Sequence, residues 1–567
     1  MRRASERRRW LTAAAASVLA LAFGGVCAAA PGEGAAVEAV DEGAAAWERE
    51  YWYVLSVNDE RAGWSRRAQR TLEGGSIENV TELFMRVERM GMELVLHTID
   101  ETVETAGGEY VRTRYTQRQN EMTTRETFEF DHEAGEVSVR VDRGEAGGVV
   151  ERRLSMPEGE WLTPLEAQRL LAARLRAGAE RVEYATLLTR GGTVRVVEAS
   201  FDRTGSTTVS LGEDEVDATL GEMETGELPG TRVTVALDGD GAPVMSDGTI
   251  GALRIAERLA EASEALSAFA APEFMVSSFV RPTGAAIERP REVERALYRL
   301  RSRAGELPEL PETGVQRVMT EGEGAAVVYV DGSGETAAAA ETTAEERASL
   351  TAASLIADSE DEFIRRLTEG ALRSLDDGAS EAERAEALRL FVYGYVSQKD
   401  LDTGFASATE VARRRSGDCT EHAVLLAAML RAAGIASRAA NGLIYADTLG
   451  GVDADGERLG AFGYHMWTQG LVRGADGIRR WVDLDASWPE SMDGTRIATS
   501  VSPLRNDDDD AALVSIARLV GNLDIEVLGV DEEAAALAAE MGLVEEGAGA
   551  GAGVGAGDKA DEGGAGR

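Results

Sequence analysis

The sequence predicts an α+β protein in which antiparallel, sheet-rich segments precede a compact α+β domain that opens with helices. Three observations predict it. Short runs with period-two alternation, separated by Gly-containing turns, fill the stretch from Trp47 to about Met156. Helical spacing takes over from Thr351, and residues 463–485 read as a strand, a turn and a returning strand. No period of roughly 20–50 residues recurs, which excludes a solenoid.

Taken in order, residues 1–30 read as a signal peptide or membrane anchor. Arg2, Arg3, Arg7, Arg8 and Arg9 form a basic start, an apolar run extends from Trp10 to Ala30, and the small residues Ala28–Ala30 suit cleavage. The expected destination is therefore periplasm, cell envelope or outside the cell. Residues 31–46 are a spacer of Ala, Gly and Glu. Residues 47–282 form a sheet-rich accessory region of one or two domains. A helix interrupts it at Pro157–Ala179, where Leu165, Leu170, Leu171 and Leu175 recur at roughly helical spacing. Asp238-Gly239-Asp240-Gly241 reads as a hairpin turn, because the terminal bidentate acid of a calcium loop is missing. Residues 283–345 are a connecting β region with a strand at Ala325–Val330 and a linker at Thr336–Thr343. Residues 346–500 are the chemical domain, 501–544 an extension packing on its core, and 545–567 a Gly/Ala tail expected to be disordered.

Charge and cysteine count narrow the function. The formal net charge is −41 and the isoelectric point about 4.6, so the surface repels phosphate backbones and nucleic acid is not an expected partner. There are 2 cysteines. Cys27 lies in the segment expected to be removed, which leaves Cys419 as the only thiol and permits no internal disulfide.

The neighbours of Cys419 point to a nucleophile. Ser416-Gly417-Asp418 breaks the chain, and a helix runs from Cys419 to Ala433 before Gly434. Asp418 and Glu421 stand at N-cap and N3, the spacing of a capping box. Cys419 is thus in the first turn, with its helix end pointing outward, where free N–H groups and the helix dipole favour a thiolate. Such a nucleophile needs a base, and the chain has 4 histidines. His422 is a side neighbour on the same helix, and His97 and His132 fall in the sheet-rich part. His465 sits in the strand-like Gly463-Tyr464-His465-Met466-Trp467. After a turn at Asp476-Gly477 the returning strand holds Trp481, Asp483 and Asp485 on one face, and an acid there can accept the Nδ1–H of His465. Alternation alone does not choose between Asp483 and Asp485. Cys-x-x-His on one helix is a poor zinc pattern, so no metal or other cofactor is expected.

These residues, together with Ala433-Gly434-Ile435, Ser437-Arg438-Ala439-Ala440-Asn441-Gly442, His465-x-Trp467 and Trp481-x-x-x-Asp485, resemble the bacterial transglutaminase-like superfamily over roughly 350–500. The resemblance implies a papain-like core with Cys419 as nucleophile, His465 as base and Asp485 completing a triad. Ala486-Ser487 replaces the Pro-Thr often found there, which keeps Asp483 as a minor candidate. The function implied is attack on carboxamide or peptide bonds through a Cys thioester, resolved by water or by an amine, with a protein or peptide as substrate. The alternative is an inactive relative serving as a binding or scaffold module of the cell envelope. The N-terminal segment adds the prospect of membrane anchoring.

Overall fold

The computed structural model describes residues 47–89, 92–120, 122–226, 231–250, 253–272, 279–398, 406–449, 459–490, 492–505 and 518–544. The expected targeting segment with Cys27, the 31–46 spacer and the 545–567 tail lie outside the described residues. The architecture is α+β, with largely antiparallel sheets preceding and supporting a helix-on-sheet core. Among the described residues no helix is long and apolar enough to cross a membrane.

The period-two alternation of the first part becomes one 14-stranded sheet running from Arg49–Val57 to Leu253–Ala260. It is built from two meanders. Eight strands up to Val149–Ser155 and six from Arg181–Arg190 onward each pair in sequence order. The last strand returns beside the first, with Trp52 opposite Ala260. Between the meanders the helix runs over Pro164–Arg176. Thr163 caps it by accepting the Glu166 N–H, and Pro164 occupies the first turn, where its missing N–H costs nothing. Asp238 turns the chain between two strands by accepting the N–H groups of Asp240 (2.9 Å) and Ala242 (2.8 Å).

The sheet curls. Tyr110 OH lies 2.8 Å from Thr186 Oγ1, Thr113 Oγ1 donates to Thr189 Oγ1 at 2.8 Å, and Gly192 N donates to Glu126 at 2.7 Å. Strands far apart in sheet order are thereby brought together. Its apolar side is continuous with the C-terminal half of the chain, since Leu55, Leu83 and Met85 share a core with Tyr298, Val328, Phe462 and Ile497.

A five-stranded sheet is assembled from both flanks of the chemical domain. Leu523–Val530 inserts between Thr283–Gly284 and Arg295–Ser302, followed by Ala325–Asp331 and Gln316–Thr320. The helix Asp531–Glu540 covers it through Ala534 and Ala538 against Leu297 and Tyr329. The third sheet positions the site. It has four antiparallel strands in the order Arg479–Leu484, Ala461–Arg473, Ser437–Ala446 and Arg496–Ser502. Helices Glu362–Leu372, Glu381–Tyr395 and Ala408–Arg414 gather round a central helix, Cys419–Ala432, in a core containing Leu388, Val411, Leu425, Met429 and Leu484. Apart from Thr420 and Ala432, every residue of that central helix is buried, as expected for a helix enclosed by packing on all sides.

Candidate active site

The start of the central helix follows from local chemistry. Asp418 accepts the Thr420 N–H at 2.8 Å, and Glu421 reaches back to accept the Asp418 N–H at 3.1 Å. Two of the helix's otherwise unpaired donors are thereby satisfied. Gly417 precedes the cap with φ +143°, and a Cβ there would lie 2.3 Å from Glu421 Cβ, so only glycine admits the returning carboxyl. The helix is braced by two hydroxyls of the sheet. Thr468 Oγ1 donates to the Ala423 carbonyl and Ser437 Oγ to the Ala427 carbonyl, each at 2.9 Å. Ala423 lies one turn beyond Cys419, and Thr468 three residues beyond His465 in the same strand. This bond therefore ties the cysteine helix to the histidine strand. The outward-pointing helix end expected from the sequence is corrected in one respect: Cys419 is only 5% exposed, because the packed helices and the cap enclose the first turn.

The histidines differ in their partners. His97 Nε2 is 2.7 Å from Glu82, and His132 Nε2 is 2.7 Å from the Tyr110 carbonyl. His422 is buried, and its Nδ1 lies 2.6 Å from the Asp418 carbonyl. A carbonyl only accepts, so Nδ1 carries the proton and the ring serves the cap. His465 is 6% exposed, with Nε2 2.8 Å from Asp485 Oδ2. The acid engages Nε2 rather than the expected Nδ1, leaving Nδ1 on the opposite edge of the ring. Trp467 stacks beside His465, ring centroids 6.1 Å apart.

The two acids do different work. Asp483 accepts from Trp467 Nε1 and Gln469 Nε2, both at 2.6 Å. Gly314 is pressed against it so closely that a Cβ would fall 1.9 Å from Asp483 Oδ2. The strand ends at Leu484, and Asp485, the next residue, lies on the face it shares with Asp483 and meets His465. Asp485 Oδ2 also accepts from Arg496 Nε at 3.0 Å, and Oδ1 accepts from the Ser487 N–H at 3.0 Å and its hydroxyl at 2.5 Å. Ser487, where Pro-Thr is common, thus supplies a hydroxyl to the acid. Burial by itself raises the Asp485 carboxyl. The charges of His465 and Arg496 and these hydrogen bonds outweigh it and hold the group well below the usual carboxylate range. Asp483 shifts the other way, raised chiefly by burial despite its donors.

Sequence reasoning missed the support for Asp485. Arg496 has a fully buried side chain and also pairs with Asp493, which in turn meets Arg291 at 2.8 Å. Arg389 donates to the carbonyls of Asp485 at 3.1 Å and Trp488 at 2.9 Å, pinning the loop after the strand. Arg389 did carry a signal. It shares the helical stripe of Ala385, Leu388 and Val392, a core position for which an arginine needs buried acceptors. Among the described residues no three His, Cys, Asp or Glu side chains gather to hold a metal.

Glu421 supplies a first prediction. Burial, and then the charge of Asp418, push its carboxyl well above the ordinary value. The native state therefore holds a proton that the unfolded chain releases above a pH of about 4.3. Stability then falls as pH rises from there through the native pKa. Glu421→Gln keeps an acceptor for the Asp418 N–H and removes the charge. Thermal melts should show a higher Tm for the variant at pH 8 and little change at pH 4, each unit of raised pKa being worth about 1.4 kcal/mol. Equal Tm differences at both pH values would refute a protonated Glu421.

Comparison with known proteins agrees with the geometry over part of the chain. Residues 366–486 match the core of the Transglutaminase-like superfamily. Among solved structures the chain is similar to a beta-barrel-like protein of a domain of unknown function from Brucella abortus. The identity is 14%, the overlap covers 37% of this chain and 94% of that one, and the TM-score is 0.28. It is also similar to a "putative cysteine protease" from Cytophaga hutchinsonii, at 13% identity over 42% of this chain and 86% of that one, TM-score 0.25. A "putative protease" from Parabacteroides distasonis shows 12% identity, 68% and 69% coverage and a TM-score of 0.16. No curated protein matches the chain significantly. The chain therefore carries, over residues 366–486, a core of the transglutaminase-like superfamily.

Proposed function

We propose that Cys419, His465 and Asp485 form a catalytic triad for thiol-dependent acyl transfer from carboxamide or peptide bonds. The observation that carries this reading is the buried His465–Asp485 pair, 2.8 Å apart, on a strand hydrogen-bonded to the cysteine helix. The Asp485 carboxylate, held well below its usual range, stabilises imidazolium, the partner a thiolate needs. The sulfur attacks the carbonyl carbon, an S–C bond forms, and the oxyanion is held by the Cys419 backbone N–H and a second donor. His465 protonates the departing amine as the C–N bond breaks, leaving a thioester. Water, deprotonated by His465, hydrolyses it to an acid, or a second amine displaces the sulfur to give a new amide. Either way the thiolate is regenerated.

The test is the pH dependence of Cys419 alkylation. With an imidazolium beside it, the thiol should ionise well below the free value of about 8.5, and iodoacetamide should label it near pH 6. His465→Ala should shift that labelling upward in pH, while His422→Ala should alter it much less. Identical profiles for wild type and His465→Ala would make Cys419 an ordinary thiol and favour the binding-module alternative. Product analysis with and without an added primary amine separates hydrolysis from transfer.

A further inference from the structure

One face of the 14-stranded sheet holds a charge arrangement opposite to that of the whole chain. A groove of about 490 Å³ is lined by Arg114, Arg118, Arg125 and Arg140, with only Glu101 and Asp142 as acidic partners in its wall. The register shows how the arginines are placed. Arg114 stands opposite Thr127, Arg118 opposite Thr123, Arg125 opposite Thr116 and Asp142, and Arg140 opposite Thr127. Each of Arg114, Arg118 and Arg140 is therefore one strand over and two residues along from Arg125, all on one face. With strands about 4.8 Å apart and a rise of about 3.4 Å per residue, each Cα lies about 8 Å from that of Arg125.

Only part of this charge is neutralised. Arg114 meets Glu101 at 3.4 Å, and Arg140 meets Glu151 and Asp142. Among the described residues Arg118 and Arg125 form no ion pair, and Arg125 is exposed. The Arg114 Nε is buried without a hydrogen-bond partner. Four clustered guanidinium groups repel one another, and in a chain of net charge −41 no general demand for basic surface explains them. An anionic ligand removes the repulsion and uses the bidentate geometry of arginine for carboxylates.

We infer that this groove is a docking site for an acidic peptide segment in extended conformation, with carboxylates at alternate residues. Side chains on one side of an extended chain recur about every 6.8 Å, a spacing that flexible arginines about 8 Å apart can follow. Glu101 and Asp142 favour a peptide over a nucleic acid. They sit among the arginines and would face the unbroken phosphate row of a polynucleotide, whereas a peptide can place a neutral or basic residue opposite them. The strands that form the groove also attach the sheet to the chemical domain. Met122 joins the helical core, and Arg143 donates to the Leu355 carbonyl. Nothing in the groove depends on the thiol chemistry.

The experiment uses the full chain and fluorescence anisotropy with a labelled (Glu-Ser)4 peptide at low ionic strength. Saturable, salt-sensitive binding is expected. Arg118→Ala/Arg125→Ala should weaken it at least about tenfold, with thermal melts confirming that the variant is folded. Arg303→Ala, an exposed arginine in the turn after Arg295–Ser302, should leave it unchanged. A (Lys-Ser)4 peptide should not bind. Absence of saturable binding, equal affinity in the double variant, or tighter binding of a single-stranded oligonucleotide of equal charge would each overturn the inference.

Discussion

Replacing His465 by alanine is expected to lower turnover of an amide substrate by on the order of 10³ or more. Cys419→Ala should do the same, and combining the two should add little, because a triad acts as a unit. The acids provide the sharper contrast. Asp485→Ala removes the carboxylate 2.8 Å from His465 and should cost orders of magnitude in kcat. Asp483→Ala leaves that pair intact but deprives Trp467 Nε1 and Gln469 Nε2 of their acceptor. Its main effect should be on stability, about 1–3 kcal/mol for buried donors left unsatisfied. Steady-state kinetics beside denaturant unfolding separates the two. Equal kcat losses for both variants would count against Asp485 as the partner of the base.

Arg496→Ala is expected to destabilise the fold by about 3–5 kcal/mol, the usual cost of breaking a buried ion pair from one side. The arginine lies between Asp485 and Asp493, and its side chain has no solvent exposure. Its loss leaves both carboxylates short of a counter-charge. The effect should grow with pH, by linkage. Asp485 is held below its usual range when folded, so its stabilisation is present above the unfolded value of about 3.9 and is lost as pH falls through the native one. Without Arg496 the native value rises, and acid unfolding should begin at higher pH. Urea titrations at pH 7 and pH 4 measure both effects. The exposed pair Arg303–Asp524 is the control, since its removal should cost no more than about 1 kcal/mol. A loss of similar size at Arg496 would mean that the network contributes little.

Much of the site was legible because it is written in local signals. Asp418, Cys419 and Glu421 sit within four residues, and capping geometry needs nothing from the rest of the chain. The same holds for the turn at Asp238 and for the strand containing His465. Period and cap chemistry are short-range, so sequence by itself determined the α+β class and the helix start at the thiol, while the choice of His465 as candidate base came from the resemblance to the transglutaminase-like superfamily. Tertiary structure decided what depends on partners far along the chain. Asp483 and Asp485 look alike in an alternating strand; the resemblance favours the second, and in the fold Arg496, Ser487 and His465 converge on it. The insertion of Leu523–Val530 beside Arg295–Ser302 joins segments more than two hundred residues apart. The gathering of four arginines around one groove requires the register of three strands at once. Pairing of this kind is selected by burial of whole faces and by long-range hydrogen bonds, which no local window of residues contains.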